Sequence, residues 1–432
     1  MNVFEAEIAK YERRLAKIEQ SPRPNMVKSN KIFYQAMLED NREQLAWWRQ
    51  GKPFVVVGGS DLSILMRCFG DFRVLNLVRI ADRMGTKKAE AAVEKLRAMG
   101  LPDFVCDRTI LFLPLAAMAG EIPEPKIVVT RTGGCEVVNN TTRTLAKTMG
   151  IPLFTIDVPF EDPHHQHLPY VTKQMENLIA WVEANLPGAK FDEKKLVEWQ
   201  TAVRRYWAAL HDIYELRKHV PCPDHPRDVF REPMFPGQFP NPSLIIEYYE
   251  RYRDELRERV AKNYSPVGEE KLRIVWAISG PYGSGMWDYL AQTGVAMPYF
   301  LFGSSRDNFV MPHYGDTSDY GRELKPLEEE ARKTLYNSWG GGGERWIRDS
   351  VFACQEFKAD GLVLFEQTGC QPVLGLGQLL TQRLKERYPI PVWSVEGRQL
   401  LGRSEGVEAE FMSGLAAFVN LCHERKKVRQ AA

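Results

Sequence analysis

The chain has 432 residues, of which 44% are hydrophobic and 26% are charged, and its mean hydropathy is −0.35. These values are typical of a globular protein with two or three domains and exclude a disordered chain. The 57 Lys and Arg residues nearly balance the 56 Asp and Glu residues, so the composition indicates no nucleic-acid partner. No apolar run is long enough to cross a bilayer, and the charged N-terminus does not resemble a secretory signal. We therefore expect a cytoplasmic protein that does not enter the membrane.

The first part of the chain has an α/β pattern that follows a helical N-terminus. Residues 1–50 are rich in charge and predict helices that end at Gly51. Strands are predicted at 53–57, 126–130 and 152–157, each followed by a turn and a helical stretch. Strands that alternate with helices indicate a parallel sheet that is covered on both faces.

The pattern changes in the middle of the chain and then returns. Residues 168–265 predict long helices, interrupted by a proline-rich loop, and show no strand signal. Strands reappear at 272–278, 360–366 and 391–395. The predicted fold is α/β, with two doubly wound parallel-sheet domains and a helical insertion between them. The predicted division is 1–50, 51–167, 168–265 and 266–432.

Two cysteines occupy the same setting, one in each α/β half. Cys135 and Cys370 each follow an apolar strand and a Thr-Gly turn, and each is predicted to precede a helix. The carboxyl ends of parallel strands form ligand-binding crevices, and a helix N-terminus favours the thiolate. Cys106 lies on the segment that leads into the first half and provides a third thiol. We predict that the three hold an iron–sulfur cluster with one open iron, the alternative being buried, inert thiols.

The other cysteines carry weaker signals. Cys68 and Cys354 lie among apolar residues at helical spacing and are interpreted as packing, and Cys422 near the C-terminus is expected to have no role. Cys222 and His225 have a zinc-like spacing but lack a second pair of ligands.

Loops after two of the predicted strands are candidates for a substrate pocket. The glycine-rich loop at 280–285 matches neither the P-loop nor the dinucleotide fingerprint, yet it allows a ligand to approach the backbone closely. The pocket candidates are Ser60, Gly280, Tyr282 and Gly283. The histidines at 164, 165 and 167 are interpreted as an exposed loop, and the glycine run at 340–343 as a linker. No catalytic acid or base is assigned.

The order of these motifs resembles the 2-hydroxyacyl-CoA dehydratase and benzoyl-CoA reductase family. The resemblance runs from Cys106 and TGGC135 through PMFPGQF and the GPYG loop to FKADGLVLFEQTGC370, and it covers residue 50 to the end. It is strongest to the larger cluster-binding subunit of ATP-dependent benzoyl-CoA reductase. It implies a [4Fe-4S] cluster at Cys106, Cys135 and Cys370, a second homologous subunit or a second copy of the chain, and an ATP-hydrolysing activator that delivers electrons singly.

The function expected from this resemblance is that of a low-potential reductase acting on an acyl-CoA. A 2-hydroxyacyl-CoA dehydratase subunit is the alternative, and a double-cubane-type reductase of small molecules is another. Outside enzymes of this class, the chain could be a non-catalytic cluster or electron-transfer protein, or a zinc-binding α/β module. The doubled glycine before Cys135 and the sequence 394–398 depart from the family pattern and leave the substrate open.

Overall fold

The computed structural model describes residues 1–21, 23–81, 84–159, 164–231, 237, 239–278, 280, 285–301, 320–336, 343–370, 373–401 and 405–431. The chain begins with two helices, α1 (Val3–Gln20) and α2 (Asn30–Arg49). Asn2 caps α1, because its side chain accepts hydrogen bonds from the backbone of Phe4 and Glu5. The helices predicted for residues 1–50 are present as α1 and α2.

The first sheet lies between residues 54 and 156. Its strands are short and all parallel, in the order β2-β1-β3-β4, and the central strand β1 has the sequence FVVV with every residue buried. The elements are β1 (Phe54–Val57), α3 (Ser63–Arg67), β2 (Arg73–Asn76), α4 (Leu77–Ala81), α5 (Thr86–Ala98), α6 (Asp107–Ile110), α7 (Phe112–Ala116), β3 (Pro125–Arg131), α8 (Glu136–Met149) and β4 (Leu153–Ile156). Two short 3-10 helices are also present: Ser60–Leu62 lies between β1 and α3, and His164–His167 lies after β4.

Helices occupy the middle of the chain, as predicted. They are α9 (Leu168–Asn185), α10 (Glu193–Arg217), α11 (Pro226–Arg231) and α12 (Pro242–Ala261). The proline-rich segment between α10 and α12 was predicted to be a loop throughout, and α11 corrects that prediction. Pro226 is the first residue of α11, a position where the missing backbone N–H has no intrahelical partner to lose.

The second sheet repeats the topology of the first. Its strand order is β6-β5-β7-β8, again all parallel, and every residue of β5 and β6 is buried. The elements are β5 (Leu272–Ile278), α13 (Gly285–Gln292), β6 (Val295–Leu301), α14 (Pro326–Leu335), α15 (Gly343–Glu356), β7 (Gly361–Gln367), α16 (Leu376–Arg387), β8 (Val392–Gly397) and α17 (Glu405–Ala431).

The predicted α/β class with two parallel sheets is confirmed. The strands β2 and β6 were missed by the sequence analysis, and the division into four segments stays a prediction. One large core joins the inner faces of both sheets to α9, α10 and α12, while two smaller cores cover the outer faces. Within the described ranges, no helix is both long enough and apolar enough to span a membrane.

Candidate cluster-binding site

Cys135 lies at the carboxyl end of the first sheet, where β3 passes into α8. The turn before it contains two glycines in the left-handed region, Gly133 at φ 68° and Gly134 at φ 108°. A Cβ atom on Gly133 would lie 3.0 Å from the carbonyl oxygen of Val158. The doubled glycine therefore serves both the backbone conformation and a close approach to the chain after β4. Cys135 is the N-cap residue of α8.

The turn before Cys135 is fixed to the strand ends on both sides of β3. Arg131 Nε lies 2.5 Å from Asp61 Oδ2, just after β1, and Arg131 also donates to the carbonyl oxygen of Gly133. The hydroxyl of Thr132 donates to Asp157 Oδ1 at 2.6 Å, just after β4. The backbone that carries Cys135 is thereby held by the neighbours of β3 in the sheet.

Cys370 lies at the carboxyl end of the second sheet, three residues after β7. Gly369, with φ 76°, packs directly on the first half of the chain. A Cβ atom there would lie 2.5 Å from Val105 Cα and 2.7 Å from the nitrogen of Cys106. A side chain at residue 369 would therefore prevent the two cysteine segments from meeting. The sequence predicted a helix directly after Cys370; among the described residues, the next helix is α16, which begins at Leu376.

Cys106 lies opposite, at the start of α6. It is the N-cap residue of this four-residue helix, and the hydroxyl of Thr109 donates to its sulfur at 3.9 Å. The next residue, Asp107, is buried and accepts a hydrogen bond from Gln367 Nε2 at 3.0 Å. The residues adjoining Cys106 and Cys370 are thus in direct contact across the two halves of the chain.

The electrostatics of the three thiols are dominated by burial. Burial raises the pKa of Cys106 to about 12, with further increases from the charges of Cys135 and Asp107. Burial also raises the pKa of Cys370 well above its ordinary value, and the charges of Cys135 and Cys106 add to the effect. The pKa of Cys135 is raised by burial even though backbone N–H groups donate to its sulfur. The backbone N–H groups at the start of α8 do favour the thiolate of Cys135, as expected for a helix N-terminus, but desolvation by burial outweighs them.

The same repulsions show that the three thiols are neighbours. Each pair among Cys106, Cys135 and Cys370 is close enough for the charge of one sulfur to raise the pKa of another. Cys106 and Cys370 are 8% and 9% exposed, and Cys135 is partly exposed. Uncompensated thiolates would repel one another here, whereas the positive charge of bound iron would favour them. The donor set is therefore suited to a cationic cofactor.

Among the described residues, the three thiols do not form a site for a single metal ion. In the part of the chain that the structure describes, no three His, Cys, Asp or Glu side chains converge closely enough to hold one metal ion. Each thiolate of a cubane binds a different iron, so its ligands surround the cofactor without meeting at one point. The finding on single-ion sites therefore does not test the three thiols as cluster ligands, and their assignment stays a prediction.

The proposed substrate-pocket residues are only partly described. Ser60 begins the 3-10 turn after β1, and Gly280 is buried just after β5. A Cβ atom on Gly280 would lie 3.3 Å from atoms of both Trp276 and Met286. Tyr282 and Gly283 lie outside the described residues, as does most of the glycine run at 340–343. Their role in a pocket stays a prediction.

The remaining cysteines are buried away from the three thiols: Cys68, Cys354 and Cys422 lie in apolar cores, whereas Cys222 lies beside the charged groups of Arg273, Asp224 and Glu270. Cys68, Cys222, Cys354 and Cys422 are completely buried, and burial raises the pKa of each. His225 is also completely buried, and its Nδ1 accepts a hydrogen bond from the backbone of Arg227 at 3.1 Å. Cys222 and His225 do not belong to a three-ligand group among the described residues.

Asp107 and Gln367 were not found by sequence reasoning. Asp107 merely follows a cysteine, and Gln367 merely ends a strand. Their hydrogen bond joins residues 260 positions apart, and local sequence patterns do not report such a contact.

Comparison with known proteins identifies the family of the chain. Residues 72–419 match the family described as 2-hydroxyglutaryl-CoA dehydratase, D-component. Because this match covers most of the chain, the chain belongs to that family.

Three characterised relatives are dehydratase subunits. Lactoyl-CoA dehydratase subunit alpha from Anaerotignum propionicum is 24% identical over 290 residues, 65% of this chain and 65% of that subunit. The (R)-phenyllactyl-CoA dehydratase alpha subunit from Clostridium sporogenes is 23% identical over 316 residues, 71% of this chain and 74% of that subunit. Subunit alpha of (R)-2-hydroxyglutaryl-CoA dehydratase from Acidaminococcus fermentans is 22% identical over 284 residues, 64% of this chain and 56% of that subunit.

These matches confirm the wider family that the sequence resembles. The chain spans about 65% of the length of the lactoyl-CoA dehydratase subunit. The special closeness to benzoyl-CoA reductase is not confirmed.

Proposed function

We propose that the chain is the cluster-binding subunit of a 2-hydroxyacyl-CoA dehydratase, with a [4Fe-4S] cluster held by Cys106, Cys135 and Cys370. This places the alternative from the sequence analysis ahead of the reductase. The observation that carries the proposal is the meeting of three thiols at the carboxyl ends of two equivalent sheets, in a chain of the dehydratase family.

The surroundings of the sulfurs suit this role. When bound, such a cluster supplies single electrons and one iron with an open coordination position. Backbone N–H groups of Val137 and Val138 donate to the sulfur of Cys135, and that of Val373 donates to the sulfur of Cys370. Hydrogen bonds to ligating sulfurs and exclusion of solvent both tune the reduction potential of a cluster.

Partners form part of the same proposal. The three relatives are named as alpha subunits, which supports a second subunit for this chain. We include an ATP-hydrolysing electron activator, an acyl-CoA substrate and a cytoplasmic location, as the sequence resemblance implies.

Iron content tests the cluster directly. Protein purified without oxygen should contain about four irons and four sulfides per chain. Cys106→Ser, Cys135→Ser and Cys370→Ser should each lower the iron content, because serine is a poor substitute for a thiolate ligand. Cys354→Ser is the matched control, since Cys354 is also a buried cysteine but does not lie with Cys106, Cys135 and Cys370. Iron-free parent protein, or equal iron loss in the control, would refute the ligand assignment.

Turnover separates the enzyme classes. The loaded protein, supplied with a second subunit, activator, ATP and reductant, should release water from a 2-hydroxyacyl-CoA. Reduction of an aromatic acyl-CoA in its place would restore the reductase as the function. A loaded protein that turns over neither substrate would favour a non-catalytic electron-transfer role.

A further inference from the structure

Asp107 is a buried carboxylate next to Cys106, and it joins the two α/β halves of the chain. It is 1% exposed and accepts four hydrogen bonds. Oδ1 accepts from the backbone N–H of Arg108 at 2.9 Å and from Gln367 Nε2 at 3.0 Å. Oδ2 accepts from the backbone N–H groups of Leu400 at 2.8 Å and Leu401 at 2.9 Å.

Three of these donors belong to the second α/β half. Gln367 is the last residue of β7 and lies three residues before Cys370. Leu400 is 1% exposed and packs in the same apolar core as Cys106, on the outer face of the first sheet. Arg398 adds another connection by donating to the carbonyl oxygen of Asp103 at 2.7 Å. The second half is therefore anchored around a single carboxylate adjacent to Cys106.

We propose that Asp107 is a positioning residue that presets the separation of Cys106 and Cys370 before any cofactor binds. We call Asp107, Gln367, Leu400 and Leu401 the Asp107 latch. The role given to the latch rests on the proposed cluster-binding function. Its hydrogen bonds, however, are formed by the chain without any metal. The four donors are divided between both side-chain oxygens of Asp107, and an asparagine, whose amide nitrogen cannot accept, would satisfy only one side of this arrangement.

Complementary variants can break and restore the latch. Asp107→Ala removes the acceptor for all four donors, and Gln367→Glu brings a second carboxylate against Asp107. In the double variant Asp107→Asn with Gln367→Glu, the asparagine amide can donate to the new carboxylate while its oxygen accepts from Leu400 and Leu401. The N–H of Arg108, which donates to the same oxygen as Gln367 in the parent, then loses its acceptor, so three of the four hydrogen bonds are restored. The net charge of the pair then equals that of the parent. Asp228→Ala is the control, because Asp228 is a buried carboxylate that instead holds Val27 and Asn30 at 2.9 and 2.8 Å.

The first measurement uses metal-free protein in a Cys135→Ser background. Dibromobimane becomes fluorescent when both of its arms react with thiols, and mass spectrometry of the linked peptides identifies a bridge between Cys106 and Cys370. Because both thiols are buried, the reaction is slow, and the quantity compared is the fraction of protein alkylated at Cys106 that also carries the bridge to Cys370. We expect a high bridged fraction in the parent and the Asp228→Ala control, a low one in Asp107→Ala and Gln367→Glu, and partial recovery in the double variant. A parent in which the two cysteines are labelled separately, or single variants with the parent's bridged fraction, would overturn the latch.

The second measurement uses iron-loaded protein with all seven cysteines. Asp107→Ala and Gln367→Glu should lose iron to a chelator about 10- to 100-fold faster than the parent, as is typical when partners of metal ligands are removed. The double variant should lose iron more slowly than either single variant, with a rate between theirs and that of the parent. If the parent bridges Cys106 to Cys370 but binds no iron, the cluster is refuted and the latch is not. Failure of the proposed function can therefore be distinguished from failure of the latch.

Discussion

Cys354 and Cys106 are both buried thiols, and burial raises the pKa of each. A raised pKa therefore does not by itself mark a ligand. Cys106 differs because Cys135 and Asp107 also repel its thiolate, whereas burial alone acts on Cys354. At the residue scale, the candidate thiols differ from the other cysteines because their charges act on one another. The sequence indicated Cys135 and Cys370 through their shared motif, and Cys106 through its place before the first of these motifs and the family resemblance.

His225 gives a prediction for acid stability. Burial lowers its pKa to about 4 in the folded protein, while the unfolded chain binds a proton at about pH 6.5. Between these values the unfolded state holds more protons, so the free energy of unfolding should fall as the pH drops through this window. The expected loss is about 2 kcal/mol between pH 7 and pH 5.

Urea unfolding at both pH values measures this effect. His225→Asn keeps an acceptor for the N–H of Arg227 and should lose less stability on acidification than the parent. His165→Asn is the control, because His165 is exposed and its replacement should leave the pH dependence unchanged. An identical pH dependence in parent and His225→Asn would contradict the prediction.

At the scale of elements, the central strands were predictable and two edge strands were not. The predicted strand 272–278 coincides with β5, and the strands before Cys135 and Cys370 were located within one residue. The strands β2 and β6 lie at sheet edges. β2 has only four residues, and β6 contains Pro298, which argues against a strand but is tolerated at an edge. The other two edge strands, β4 and β8, were predicted, so the misses at β2 and β6 follow from their local sequences and not from their edge positions alone.

Gly369 gives a prediction for the contact between the two cysteine segments. Gly369 has a left-handed φ of 76°, and Gly369→Ala adds a methyl group that would overlap the backbone atoms of Val105 and Cys106. Gly375→Ala is a closely matched control, since its φ is 82° but no atom lies within 4 Å of the added carbon. The control should lose about 1 kcal/mol through backbone strain alone, and Gly369→Ala about 1–3 kcal/mol more through overpacking.

Urea unfolding without oxygen, together with iron analysis, checks both parts of this expectation. Only Gly369→Ala should lower the iron content, because only its methyl group separates Cys370 from Cys106. Equal stability and equal iron in the two variants would show that the approach of these segments is not tight.

At the scale of the whole molecule, the two sheets have the same strand order and share one large core with the middle helices. The sequence predicted the repeated α/β pattern because each half contains local strand and turn signals. It could not predict how the halves meet, since the Asp107 latch joins residues 260 to 294 positions apart. Such contacts depend on the packing of both sheets around the middle helices, which the local pattern of apolar residues does not specify.

Iron removal should therefore loosen the junction of the halves more than the rest of the fold. A bound cluster stabilises only the states in which the three thiols are together, so its loss should make local opening at 105–109, 133–137 and 368–370 easier. Hydrogen exchange by mass spectrometry on iron-loaded and chelator-treated protein measures this opening. Exchange should increase in these segments and remain unchanged in α10 and α12, whose buried residues lie in the large core. A uniform increase would instead indicate that iron stabilises the whole chain, and no change would indicate that iron does not bridge the two halves.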